Sequence, residues 1–344
     1  MTILTMKRPI IPIISTAILL FTACIFSMGV GAVYIPLETI YQVLMGKLFP
    51  IGSVDSINTV TDTIVWDIRL PRTLLAVLVG AALASSGGVM QGFFQNPMAD
   101  PYIMGISAGA ALGATAAVTL NMEFWFFGLN AVSIAAFLCA LTVTIVVYAL
   151  SRRGGRVAST TLLLTGIAIG AIATSVTSYM LVMGGENQRQ MLFWLMGSLS
   201  ARRWDHFWML LPYAAIGLTL VHIYARELNV LLLGDEQAIQ LGVHVERVKL
   251  VLLAAAAGLA AAAVSVSGII GFVGLLVPHV VRLIVGPDYR ILTPMAALGG
   301  ALLLVLADLV ARTVMAQAEM PIGILTTVLG APFFLYLLHR QRRV

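Results

Sequence analysis

Residues 68–113 read IRLPRTLLAVLVGAALASSGGVMQGFFQNPMADPYIMGISAGAALG. Within them, 71–92 is one apolar run. At 1.5 Å per residue it reaches about 30 Å, the thickness of a bilayer's hydrocarbon core. Its many Gly, Ala and Ser residues suit close backbone approach between helices in lipid, where large apolar side chains gain nothing by avoiding the surrounding tails. Scanning outward for similar runs gives about ten spans: 11–33, 71–92, 101–120, 124–150, 157–183, 205–224, 247–267, 272–286, 291–313 and 322–339. The eighth is short and is expected to be broken or tilted. Of 344 residues, 60% are hydrophobic and 10% charged, against roughly 25% charged in a soluble domain. Mean hydropathy is +0.99. A soluble fold of this size could not hide so much apolar surface. The chain is therefore expected to be an all-α polytopic membrane protein, a single transmembrane domain over 1–344. A cytosolic enzyme, a disordered chain and a secreted disulfide scaffold are excluded.

The net charge is +5. The positive residues lie between spans and describe membrane topology, so no nucleic-acid partner is expected. The first run follows Lys7 and Arg8 and is too long for a signal-peptide core, which makes it a retained span. With the N-terminus inside, thirteen Lys and Arg fall on the cytoplasmic side and seven outside: Lys47, Arg69, Arg72, Arg189, Arg202, Arg203 and Arg312. That bias predicts both termini in the cytoplasm. Arg69 and Arg72 bracket Pro71 at the outer start of span 2, and Arg312 sits at the outer end of span 9. They read either as headgroup-snorkelling side chains or as an electropositive rim that docks an acidic partner. Cys24 and Cys139 lie inside apolar runs and read as small core residues, not as a disulfide or a metal pair.

Two connections carry helix-like spacing. VYIPLETIYQVLMGKLFP, in the long outer loop 34–70, is expected to lie along the interface. In the cytoplasmic loop 225–246, a short polar helix is expected from Asp235 to Leu241. Gly234 precedes it and Gly242 ends it, with Asp235 and Glu236 in its first turn. SGGVMQGFFQNP (86–97) and SGIIGFVGLLVP (267–278) align at an offset of 181. Five spans separate the copies, so this reads as an inverted repeat, spans 2–5 against 7–10.

No G-x-x-x-x-G-K-[ST] loop is present, so ATP is not expected on this chain. His206, His222, His244, His279 and His339 are scattered, and no metal site is expected from them. Among acids, Asp308 lies inside a span. It reads as a partner of Arg312 at i+4 or, in a rival reading, as the ion site of a secondary transporter.

The stretch 68–113 resembles the signature of the iron-chelate and vitamin B12 permeases, the membrane subunits of type II ABC importers. LLLGDEQAIQLGV (231–243), GFVGLLVPHVVRLIVGPDYR (271–290) and LADLVARTVMAQAEMPIGILTTVLGAPFFLYLL (306–338) are similar to the same family. The resemblance implies ten helices and a second permease subunit, more readily an identical copy than a paralogue. It also implies two ATP-binding subunits below and a periplasmic or lipoprotein substrate-binding protein above. ATP is then hydrolysed by the partner, and this chain is a transport subunit, not an enzyme. The resemblance implies docking of the binding protein on Arg69, Arg72 and Arg312. It places ATPase coupling at Gly234, Asp235, Glu236, Gln237, Ala238, Leu241 and Gly242, and a cytoplasmic gate at Ser159 and Thr160. The expected cargo is a ferric siderophore or haem, with cobalamin or an oxyanion as the alternative, and the expected location is the inner (plasma) membrane.

Overall fold

The computed structural model describes residues 10–31, 33–49, 59–126, 129–153, 156–314 and 319–341. Lys7, Arg8, Arg342 and Arg343, which enter the charge-bias argument, lie outside the described residues, as do 50–58 of the long loop.

All ten expected segments coincide with helices, and the departures have local causes. Helix α1 (Ile10–Gly29) is followed by α2 (Leu37–Leu48), the amphipathic helix expected in the long loop. Ile40 and Val43 of α2 pack with Met28, Ile35 and Val65, while Leu37, Tyr41 and Leu48 are exposed. Next, α3 (Thr59–Thr63), one π-helical stretch (Ile64–Arg69) and α4 (Leu70–Phe93) run on without a break. The joined helix has 35 residues, about 50 Å at helical rise, longer than a hydrocarbon core is thick. Pro71 lies inside this joined helix, just after the π-helical stretch, and brings no N–H to the ladder; the Trp66 carbonyl five residues earlier accepts from Trp204 Nε1 at 3.0 Å.

The third segment is not one helix. A 3-10 turn (Pro101–Met104), opened by the Asp100 carboxylate accepting from Tyr102 N, passes through Gly105 at φ 77° into α5 (Ile106–Thr119). The fourth starts later than expected: Trp125–Phe126 pairs with Leu129–Asn130, and only then does α6 (Ala131–Ser151) begin, capped by the Asn130 side chain on Ser133 N. There follow α7 (Ser159–Met183), α8 (Gln188–Leu195), α9 (Trp204–Ile223), α10 (Ala225–Leu231), α11 (Asp235–Gln240), α12 (Val245–Ser267), α13 (Val273–Val285), α14 (Tyr289–Ala311) and α15 (Ile322–Gln341). Among the described residues, seven helices are long and apolar enough to cross a membrane; Ile106–Thr119, Val273–Val285 and Ile322–Tyr336 are shorter apolar helices.

Helix α4 is the hub, packed against α14, α12, α9 and α13. It runs antiparallel to α14, and its small residues make this possible. A Cβ on Gly80 would collide with the Gly300 carbonyl, and one on Gly87 with the Gly274 backbone. The 181-residue offset does not survive as a register. Ser86 lies inside α4, donating to Ala256 O at 2.7 Å, whereas Ser267 is the last residue of α12. Pro97 is in a loop and Pro278 is inside α13. The offset therefore aligns the interior of α4 with the end of α12 and does not set the register of a repeat.

Candidate functional site

Two polar clusters stand out, one at each end of the antiparallel α4–α14 pair. At the first, Arg72 of α4 meets Asp308 of α14. Its Nε donates to Oδ1 at 3.0 Å and to Oδ2 at 3.2 Å, and its Nη2 to Oδ1 at 2.8 Å. Nη1 donates to Glu319 Oε1, just before α15, at 2.9 Å. Arg72 is 6% exposed and Asp308 1%. Arg312 lies 3.7 Å from Asp308 Oδ2 and donates to the backbone oxygen of Ser27, and to its hydroxyl at 2.6 Å. Ser27 Oγ also pairs with Thr73 Oγ1 at 3.0 Å. The guanidinia and carboxylates balance, and each buried charge has a charged neighbour, as burial demands. Burial pushes the Glu319 carboxyl up, but the hydrogen bond and charge of Arg72, with the Ser200 hydrogen bond and the charge of Arg312, together hold it below its usual range.

Arg69 does different work. It donates to Met28 O at 2.7 Å, Gly29 O at 2.9 Å and Val33 O. Met28 and Gly29 end α1 and Val33 lies in the turn beyond it; a cation there suits carbonyls at a helix C-terminus. The three outer arginines of the sequence reading are thus brought to one end of the fold, but as buried groups bonded within the chain. None is a free surface cation, and snorkelling does not describe them either. The expected i+4 partnership of Asp308 with Arg312 is the looser contact; Arg72 is the main partner.

At the opposite end, the expected short helix is present as α11. Gly234 precedes it at φ 107° and Gly242 follows at φ 84°, conformations that disfavour any side chain. Asp235, Glu236 and Gln237 form its first turn; Ala238 is buried, Leu241 exposed. Lys249 of α12 pairs with Asp235. A cleft of about 740 Å³ opens beside it, lined by Asp235, Glu236, Ile239, Gly242 and residues 243–247. Ser159 and Thr160 open α7, Thr160 exposed.

Helix α10, which the sequence reading missed, carries Asn229. Its Nδ2 donates to Asp288 Oδ1 at 2.7 Å, and its Oδ1 accepts from Tyr289 N at 2.9 Å. Asp288 also caps α14 and is gripped by Arg290. Those bonds hold its carboxyl down at about 2, Arg290 contributing most. Fully buried Tyr289 accepts at its hydroxyl from Arg282 Nη2, at 2.8 Å. Asp288, Tyr289 and Arg290 sit in the quoted GPDYR stretch; Asn229 carried no signal beyond standing in a loop that proved helical.

Among the described residues, no group of three or more His, Cys, Asp or Glu could hold a metal. Cys24 and Cys139 are free. Both clusters are built to hold helices together, not to do covalent chemistry.

The profile described as the FecCD transport family matches residues 18–340. The chain is 51% identical over 281 residues to the cobalamin import system permease protein of Halobacterium salinarum, covering 82% of this chain and 74% of that one. It is 46% identical over 296 residues to the hemin transport system permease protein of Yersinia pestis, covering 83% and 87%. A solved inward-facing structure described as a metal-chelate type ABC transporter superposes with a TM-score of 0.83 at 30% identity, covering 97% of this chain and all of that one. The fold is therefore the all-α polytopic fold of a type II ABC importer permease. The chain belongs to the FecCD transport family and is the membrane permease subunit of a metal-chelate ABC importer, of the iron-siderophore, haem and B12 type, with ATP hydrolysis falling to a separate partner.

Proposed function

We propose that this permease carries a macrocyclic metal chelate, cobalamin first and haem second. The observation behind it is the order of similarity. The relatives named for cobalamin and hemin stand at 51% and 46% identity, while one named for Fe(3+)-citrate, from Bacillus subtilis, stands at 36%. This reverses the expectation that put siderophore or haem ahead of cobalamin. The rival reading, an ion-coupled carrier using Asp308, loses its motive: that carboxylate is fully engaged by Arg72.

In this reading the chain is one domain with ten spans, both termini cytoplasmic, in an inner (plasma) membrane. The second half inverts the first: α4, α5, α6 and α7 correspond to α12, α13, α14 and α15. Lengths support it, 24, 14, 21 and 25 residues against 23, 13, 23 and 20. Two copies face each other through α7 and α15, two ATPases grip α11 and its cleft from below, and Ser159 and Thr160 guard the inner mouth. A binding protein delivers the chelate to the Arg72 end. Docking there through Arg69, Arg72 and Arg312 requires an acidic partner to displace contacts the arginines already make. Glu319 is the one to yield, with its side chain 40% exposed against 1% for Asp308.

The test has two steps. The tagged chain is purified in mild detergent from its native membrane and its companions are identified by mass spectrometry. The complex is then reconstituted in proteoliposomes and assayed for ATP-dependent uptake of cobalamin, haem and a ferric siderophore. Uptake of cobalamin above the others is expected. Uptake of the siderophore alone would overturn the macrocycle reading.

A further inference from the structure

The α4–α14 pair joins the two polar clusters, and its inner end holds the segment that leads into α11. Helix α10 connects to α11 through residues 232–234 only. Three contacts fix α10 to the pair. Gln95, just past α4, donates from Nε2 to Leu231 O at 2.9 Å. Asn229 spans from Asp288 to Tyr289 N, engaging both its amide atoms. Gly92 of α4 is wedged between α10 and α14: a Cβ there would lie 2.8 Å from the Tyr289 hydroxyl and 2.9 Å from Leu228 Cδ1.

We propose that Asn229 and Asp288 form a latch that makes α10 and α11 move as one body with α4 and α14. Asn229 is thereby a positioning residue for energy coupling. The inference rests on the reading of α11 as the ATPase contact. Asp288 is suited to the role because its own position is fixed. Oδ1 accepts from Arg290 N at 3.0 Å, Oδ2 from Arg290 Nη2 at 2.6 Å, and the carboxylate caps α14. A charged acceptor strengthens the Asn229 bond relative to a neutral pair. A second anchor of α11, Lys249 with Asp235, ties it to α12 rather than to the α4–α14 pair. From Asp288 the chain runs along α14 to Asp308, about 30 Å at helical rise. The α4 and α14 backbones meet closely at Gly80 and Gly300, and Arg72 pins the two helices together at Asp308. A push on α11 then arrives at the Arg72–Asp308–Glu319 cluster instead of dissipating in the loop.

The test uses the complete complex in proteoliposomes, with cobalamin as probe and haem in parallel, and reads chelate transported per ATP hydrolysed. Asn229→Leu is expected to lower that ratio about tenfold, the scale of one charge-assisted hydrogen bond, with the ATPases still bound. Asn229→Asp alone sets two carboxylates against each other and is expected to do the same. The exchange Asn229→Asp with Asp288→Asn restores one donor and one acceptor and is expected to recover most of the ratio, a rescue that simple loss of packing does not give. Ile239→Arg, on the exposed face of α11, serves as control and is expected to release the ATPases. If Ile239→Arg releases them while Asn229→Leu and Asn229→Asp keep the wild-type ratio, the latch is wrong and the coupling reading stands. An exchange no better than Asn229→Asp alone also overturns the latch. If Ile239→Arg leaves the ATPases bound, the coupling reading fails and the latch with it.

Discussion

Helices α4 and α7 have nearly the same hydropathy, 1.9 for the helix containing α4 and 1.7 for α7. Yet α4 is buried almost end to end, while α7 buries only Leu162, Gly166, Ala173 and Thr177. Apolar composition thus says that a helix avoids water, not what it avoids water against. In α4 the difference comes from glycines at backbone contacts and from Arg72, which needs protein partners. In α7 it comes from a large exposed face, with Leu164, Ile167, Ile172 and Tyr179 among its outward residues. A face of that size in one copy of the chain is covered by lipid, by a second copy, or by both.

The largest effect should come from the charges of α4. Arg72→Leu leaves Asp308 with only the looser Arg312 contact, and breaking such a buried pair costs about 3–5 kcal/mol. Thermal unfolding in detergent should show it as a large drop in midpoint, whereas Ile167→Ala on α7 should barely move it. A wild-type midpoint in Arg72→Leu would mean that α4 is not held by its ion pair. The same reasoning applies to Arg69→Glu with Arg72→Glu, a natural test of docking. It places an acid beside Asp308 and Glu319 and is expected to destabilise the fold before docking can be read.

Glycine sharpens the contrast next. Gly87→Ala drives a methyl into the Gly274 backbone, and overpacking of this kind costs about 1–3 kcal/mol. Gly170→Ala on α7 meets nothing nearer than 3.8 Å and should stay within about 0.5 kcal/mol of wild type. Equal losses at the two sites, measured as unfolding midpoints, would remove packing as the distinction.

The smallest effect concerns pH. The Asp288 carboxyl titrates at about 2 in the fold, below its unfolded value of about 3.9. Its stabilising contribution is therefore complete above roughly pH 4 and is lost as pH falls through about 2. The midpoint difference between wild type and Asp288→Asn should be flat from pH 5 to 8 and shrink toward pH 3. A step near neutrality would assign the titration to another group.

Much of the fold was legible because bilayer thickness forces long apolar runs, and α11 because Gly234 and Gly242 punctuate it with helix-start acids between. The break before α5 was missed because an apolar window cannot see that Gly105 adopts a positive φ and that Tyr102 O–H reaches Ile270 O at 2.9 Å. Of the site, Arg69, Arg72 and Arg312 stood out as exceptions to the charge bias and lie together at one end of the fold, but the distant partners of Arg69 and Arg72 carried no signal. Arg72 and Asp308 stand 236 residues apart, and Arg69 bonds to carbonyls, which have no sequence signature. Local spacing revealed only the Asp308–Arg312 pair, the weaker contact. The Asn229–Asp288 bond was hidden in the same way, across 59 residues.

The most direct test of the contrast between α4 and α7 is single-cysteine cross-linking in native membranes. The background would lack Cys24 and Cys139, and the positions would be Ile167→Cys and Ile172→Cys on α7, Leu83→Cys on α4 and Ile18→Cys on the exposed face of α1. The account predicts disulfide-linked dimers from one or both α7 positions and none from Leu83→Cys. Dimers from Ile18→Cys on α1 with none from either α7 position would place the second copy elsewhere and contradict it.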